Sequence, residues 1–487
     1  MKTPSFIAIT LALAGVASAQ EVSGKKSAGI PLFQKGYEKE WYVWQPSTGP
    51  TANWSGRVKM REDGVIHVLD IPVTDIPEEF GYFATNDDYR NYRLDFEYKW
   101  GEKKFAPRKD KKRDSGVIYH MWGADQIWPR CMECQVQEGD TGDFHLLWKE
   151  DKPSMEISVK PNGHKGPDGR RVFDPAGEKL IRQTGSVQRF PEMDHLTEWN
   201  RVTVEVSGNS VRHLVNGTLN NAAENLLYPD GKPLDSGKIA LQVEGAEMFY
   251  RNVTISPITW PADHAPFSVL VFSKTAAFRH DSIPDGVDAI RRLGETYGFS
   301  VDHTEDSKEF TAEKLAKYKV VIFLSTTGDV LDDPQQQVFE KYIHAGGGFA
   351  GIHAASDTEY DWPWFGQLVG AYFAGHPKQQ TADLHLVDEN STSTAMLPRK
   401  WTRYDEWYNF KKGPDDKKVH VLMRIDEKSY KGGKMGENHP MSWQHEFDGG
   451  RAWFTALGHT KESFTEPLFL MHLLGGIQYA AGIPAAK

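Results

Sequence analysis

The feature that most constrains this chain is a change of pattern at Pro257-Ile258-Thr259-Trp260-Pro261-Ala262-Asp263-His264-Ala265-Pro266. Three prolines in ten residues make a stiff, extended connector. Before it, strand signals dominate: Val65–Leu69, Tyr92–Tyr98, Val202–Val206 and Ile239–Val243 alternate or are rich in β-branched residues, with Gly, Asn and Asp turns between them. That pattern predicts an all-β sandwich over residues 30–258. After the connector (259–266), strands and helices alternate. Val269–Phe272, Val320–Leu324 and Phe349–Ile352 read as buried strands, and Val287, Ile290, Leu293 and Tyr297 repeat at helical spacing until Gly298. Residues 267–482 are therefore expected to form an α/β domain with a doubly wound parallel sheet.

The 487 residues carry a formal charge of -10, which argues against a nucleic-acid partner because phosphate binding needs a cationic face. The basic run Lys103–Arg113 reads as a solvated hairpin loop. Fifteen tryptophans suit either stacking on sugar rings or filling a sandwich core. Lys2, the apolar run Phe6–Ala14 and Ala17-Ser18-Ala19 have the layout of a secretory signal peptide, so residues 1–19 are expected to be removed and the protein exported to the periplasm or beyond. No later apolar run is long enough to span a bilayer. The only cysteines, Cys131 and Cys134, lie three apart on an expected strand; they point to opposite faces, out of disulfide reach, and are expected to be buried free thiols. Nothing in the sequence fixes the oligomeric state.

Within the first domain, Arg113-Asp114-Ser115-Gly116-Val117-Ile118-Tyr119-His120 is followed by Trp128-Pro129-Arg130, Glu133-Cys134-Gln135 and Gly142-Asp143-Phe144. Glu198-Trp199-Asn200, His213-Leu214-Val215-Asn216-Gly217, Gly237–Gln242 and Phe249–Val253 come later. In this order the pieces resemble the 3-keto-disaccharide hydrolase family, a jelly-roll sandwich of the laminin-G/concanavalin kind. On the strand itself, Glu133, Gln135 and Gln137 share one face, which marks a groove rather than a core. Glu133 is a base, a metal ligand or half of a structural hydrogen-bonded pair. Glu133 and His120 are the expected catalytic residues here, with Tyr119, Trp128, Gln135 and His213 at the substrate.

The second domain carries Phe278-Arg279-His280, Ser325–Asp329, Gly346–Ala355 ending on His353, Asp357, His376-Pro377, Asp405-Glu406-Trp407-Tyr408, Asn438–Trp443 and Ala456–His459. The set is similar to the trehalose-utilisation (ThuA-like) family, which implies the class I glutamine-amidotransferase fold. That fold places a nucleophilic Cys in a strand-to-helix elbow, and no Cys lies in this domain, so amidotransfer through a thiolate is excluded. His353 and Glu406 are the expected catalytic pair, with His280, Asp357 and Trp407 at the substrate. His353, His376, Glu406, His439 and His459 suit a divalent metal, with zinc, calcium and manganese not distinguished, and equally suit proton shuttling. No nucleotide cofactor is expected. His472, Met471, Leu473, Leu474 and Ile477 of the apolar helix Pro467–Gly482 read as core.

The resemblance implies a 3-keto-glycoside as substrate. A ketone at C3 acidifies the C2 proton; its removal expels the C1 substituent, and water addition completes a net hydrolysis. The expectation is an exported enzyme that cleaves 3-keto-glycosides in the sandwich and acts on related keto sugars in the α/β domain. The alternative is a glycan-binding sandwich attached to an α/β domain that alone is catalytic.

Overall fold

The computed structural model describes residues 29–486 except 34–35, 37, 53–55, 75–77, 148–152, 183–184, 190–193 and 262. The expected signal peptide lies outside the described residues. The N-terminal half is two stacked antiparallel sheets of ten and eight strands. At the centre of the larger sheet lie Tyr92–Lys104, Asn200–Ser207 and Ala246–Pro257; the smaller is centred on Asp114–Trp122, Arg130–Gln137 and Lys238–Val243. Alternation selects the faces that meet. Leu94, Phe96, Tyr98, Val202, Val204 and Val206 from one sheet join Val117, Tyr119, Met132, Cys134, Val136, Ile239 and Leu241 from the other in one core. Each such side chain contributes about 1.5–3 kcal/mol when fully buried, so a one-residue slip would cost far more than any single hydrogen bond. Cys131 and Cys134 fall on opposite faces, in two separate clusters, as free buried thiols.

The C-terminal half is built on a nine-stranded sheet. Phe299–Thr304, Phe267–Phe272, Val320–Leu324, Gly348–Ile352 and Gly450–Thr455 run parallel in that spatial order. The sheet then continues with antiparallel strands Pro440–Phe447, His420–Ile425, Gln380–Leu386 and Lys400–Asp405. The sheet is therefore mixed rather than wholly parallel, because the segment after His353 supplies short alternating strands such as Lys400–Asp405, buried at every second residue. Helices cover both faces. Pro467–Ala481 packs so closely that a Cβ at Gly348 would collide with the Ala480 carbonyl, whereas Phe349 meets Phe339 and Phe365 on the other side. Among the described residues, no helix is long and apolar enough to cross a membrane.

The halves are joined by more than the connector. Arg399 makes a two-pronged ion pair with Asp235 (2.9 and 2.7 Å), Arg90 pairs with Glu389 at 2.8 Å, and Asn91 donates to the Ala395 carbonyl. Glu40 and Asp87 of the sandwich share a half-buried pocket with Arg403 and Glu466 of the α/β domain. Burial, then the charges of Glu466 and Asp87, pushes the Glu40 carboxyl up to about 8, against the opposing pull of Arg403 and Lys39.

Glu40 holds a proton in the fold that the unfolded chain has already released between its ordinary 4.5 and about 8, so its contribution to stability falls as pH rises across that window. Thermal denaturation of Glu40→Gln is expected to show a flatter decline from pH 5 to pH 8 than the unsubstituted protein.

Candidate functional site

Four loops meet at the carboxyl ends of the parallel strands, where open α/β sheets place their ligands. His280 follows Phe267–Phe272, His353 ends Gly348–Ile352, Glu406 follows Lys400–Asp405, and His459 follows Gly450–Thr455. His353 is fully buried at φ +51 and Ser325, ending the adjacent strand, stands at φ +47. Non-glycine residues rarely adopt this region, and surrounding contacts must hold them there.

The imidazole of His353 is fixed at both ends. Nδ1 donates to the Ala456 carbonyl at 2.8 Å, leaving a lone pair on Nε2. That nitrogen lies 2.9 Å from the Tyr408 hydroxyl, 3.1 Å from His459 Nδ1 and 3.6 Å from Glu406 Oε2. His459 Nδ1 in turn lies 3.1 Å from Glu406 Oε2. Burial opposes ionisation of Glu406, but the neighbouring imidazoles of His353 and His459 outweigh it and hold the carboxyl down at about 2. Burial also opposes charge on His459, and Glu406 reverses this, so its pKa is raised. His280 packs edge-on to both histidines, at ring separations of 4.8 and 5.1 Å, and its buried Nδ1 has no partner among the described residues. Burial, then His353 and His459, drives its pKa down to about 3. The arrangement can hold a cation or pass a proton between imidazole and carboxylate.

Asp405 builds this centre from below. Fully buried and paired with Arg403 at 2.7 Å, it accepts the backbone N–H groups of Glu406, Gly458 and His459 at 3.0, 2.9 and 3.1 Å. One carboxylate thus ties the loop that carries Glu406 to the loop that carries His459.

Several expected contacts lie elsewhere. His376 sits outside the innermost group, with Nδ1 2.9 Å from Glu406 Oε1, and orients that carboxylate. His439 is fully buried away from the cluster, bound to Glu427 through Nδ1 at 2.8 Å and to the Tyr408 carbonyl through Nε2 at 2.7 Å; it supports the loop rather than entering the centre. Trp407 is core, its indole donating to the Gln380 carbonyl, because alternation along extended chain turns it away from Glu406. The same alternation brings Tyr408, two residues beyond Glu406, onto the site side; that spacing was the available signal for it. Asp357 accepts from Tyr360 at 2.5 Å nearby.

A second group lies on the outer face of the eight-stranded sheet, amid an apolar cluster of Tyr42, Trp44, Tyr82, Ile118, Cys131 and Ala240. Glu133 is paired with Ile118 across the ladder, and a Cβ at Gly116 would collide with both the Glu133 carboxylate and the Gln242 amide. The buried Gln242 amide lies against the Glu133 carboxyl and opposes the rise of its pKa, Gln135 Nε2 donates to Asp114, and Gln135 Oε1 has no partner among the described residues. Burial, then the charge of Glu244, drives the Glu133 carboxyl well above its usual range, and burial lifts Glu244 to about 7. Trp128, 39% exposed, stands near Phe80 with ring centres 6.1 Å apart.

Tyr119 and His213, expected at the substrate, instead satisfy each other inside the sandwich. The hydroxyl lies 2.9 Å from Nε2, while Nδ1 takes the Gly142 carbonyl and the ring lies against Phe144. His120 is fully buried where the strand shifts register, at φ +49, with its ring against Tyr119; no hydrogen bond or ion pair among the described residues links it to Glu133.

A sandwich with a polar patch on one sheet, fused to a doubly wound domain with a histidine-rich strand-end centre, defines a two-domain protein of the carbohydrate-active class. Residues 31–256 match the 3-keto-alpha-glucoside-1,2-lyase-like domain family, and residues 268–480 match the trehalose-utilisation (ThuA) family. Among solved structures, a ThuA-like protein of Bacteroides uniformis is 24% identical, with a TM-score of 0.41, over 46% of this chain and 96% of its own. A structure from Parabacteroides distasonis described as a glycosyl hydrolase is 20% identical, with a TM-score of 0.27, over 46% and 97%. A carbohydrate-binding module of Bacillus subtilis is 10% identical, with a TM-score of 0.25, over 41% and 90%. No curated protein matches the chain.

Asp405→Asn leaves the buried Arg403 with Glu466 as its remaining carboxylate and weakens the acceptor for three N–H groups. The expected loss is on the order of 3 kcal/mol in urea denaturation.

Proposed function

We propose that this protein is an exported enzyme that cleaves 3-keto-glycosides in its sandwich and transforms a related keto sugar in its α/β domain. The observation that carries the first half is the buried polar group of Glu133, Gln135 and Gln242 on one outer sheet face, in which Gln135 Oε1 has no partner among the described residues. An unsatisfied buried polar group costs about 1–3 kcal/mol, and the hydroxyls of a sugar would relieve that cost. Glu133, once ionised, takes the C2 proton; the C–H electron pair passes into the enolate of the C3 ketone and then expels the C1 substituent. A carboxylate with a raised pKa is a stronger base for this step than an exposed one. Trp128 and Phe80 offer aromatic surface at the edge of the same region. In the α/β domain, the strand-end centre of His353, His459 and Glu406 is the part suited to polarising the carbonyl of a keto sugar. Export rests on Lys2, the apolar run Phe6–Ala14 and Ala17-Ser18-Ala19.

One observation favours a second reading, a glycan-binding sandwich with catalysis only in the α/β domain: Glu133 is 3% exposed. The p-nitrophenyl 3-keto-glucosides of both anomers separate the two. Glu133→Gln in the full chain is expected to abolish nitrophenol release while His353→Ala leaves it; the reverse pattern establishes the second reading.

The pH profile tests the carboxylate pair. Burial and the charge of Glu244 both oppose ionisation of Glu133, so the acid limb of kcat/KM is expected well above the ordinary carboxylate range. Glu244→Gln removes that repulsion and is expected to move the limb to lower pH; an unshifted limb would show that Glu133 is not the titrating base.

A further inference from the structure

We infer that His280, His353, Glu406 and His459 form a binding site for one divalent transition-metal ion of the zinc type. Each residue offers one ligand atom, and the four atoms lie within 4.8 Å of one another. Three of the separations are measured directly: 3.1 Å from His353 Nε2 to His459 Nδ1, 3.1 Å from His459 Nδ1 to Glu406 Oε2, and 3.6 Å from His353 Nε2 to Glu406 Oε2. Ligand bonds of roughly 2.0–2.2 Å in a tetrahedron put neighbouring ligand atoms about 3.3–3.6 Å apart, so little movement is needed to admit an ion.

Donor chemistry and the second layer agree with this. His353 presents a lone pair at Nε2 because its Nδ1 proton is committed to the Ala456 carbonyl, the usual way a protein fixes the tautomer of a ligating histidine. Glu406 presents Oε2 while His376 holds Oε1. The buried Nδ1 of His280 has no partner among the described residues, and its ring abuts both other imidazoles. Three imidazoles and one carboxylate select zinc, iron, cobalt or nickel over calcium or magnesium, which prefer oxygen. The centre is reached from outside, since the His459 side chain is 15% exposed and His376 beyond it 42%. The contrasting group His67, Asp70 and Glu247 already holds the ammonium groups of Lys59 and Lys103, so its carboxylates are neutralised without an ion.

The inference does not depend on the substrate, and its test needs no turnover. The full-length protein, stripped with dipicolinate and dialysed, is titrated with Co2+ and then Zn2+. Binding of one Co2+ per chain is expected, with the intense visible absorption of a tetrahedral site, displaced by Zn2+, and with a rise in Tm. His459→Asn and Glu406→Gln are expected to weaken binding by more than the roughly 10–100-fold typical of second-layer changes, while His67→Ala leaves it unchanged. Absence of both Co2+ absorption and a Zn2+-dependent Tm shift in the unsubstituted protein would overturn the inference, whatever the variants do. So would binding that survives both ligand substitutions, or that is lost in His67→Ala.

Discussion

The buried Arg403 guanidinium is the point on which the architecture turns. It pairs with Asp405 at 2.7 Å and with Glu466 at 2.8 Å, and donates to Ser463 Oγ at 2.8 Å. Each contact leads to a different part of the molecule. Asp405 gathers the N–H groups of the Glu406 and His459 loops, and Glu466 immediately precedes the helix Pro467–Ala481 that covers one face of the sheet. Across the interface, Glu40 and Asp87 of the sandwich line the same pocket. A buried cation is tolerable only when its charge and its donors are all answered. Meeting that condition brings the strand ends, the terminal helix and the sandwich edge to one place.

The two polar centres differ in how they handle charge. Around Glu406, imidazoles stabilise an anion, and the geometry has the spacing of a coordination shell. Around Glu133, burial and a neighbouring carboxylate destabilise the anion and push the carboxyl well above its usual range. The first suits holding a cation or polarising a ketone, the second suits taking a proton from carbon.

Much of this was legible in the sequence. The period-2 patterns at Tyr92–Tyr98 and Val202–Val206, the helical spacing ending at Gly298, and the elbow at His353 all lie within observed elements. The separation of Cys131 from Cys134 follows from strand geometry alone. The sequence also drew attention to His280, His353, His376, Glu406, His439 and His459, most of them at expected strand ends or after glycine.

Pattern alone could not say which histidines meet. His439 and His459 look equivalent in the chain, yet one is bound to Glu427 and a carbonyl while the other faces His353. The distinction depends on antiparallel strands added beyond the parallel ones, whose pairing spans long stretches of chain. His213 likewise reads as a polar residue at a hairpin, and only sheet stacking puts Tyr119 against it. Local sequence determined the elements and their buried faces, because backbone periodicity is a local property. The packing of those elements decided the partners of each buried polar group, because a hydrogen bond across 106 residues, such as that between His353 and His459, has no local signature.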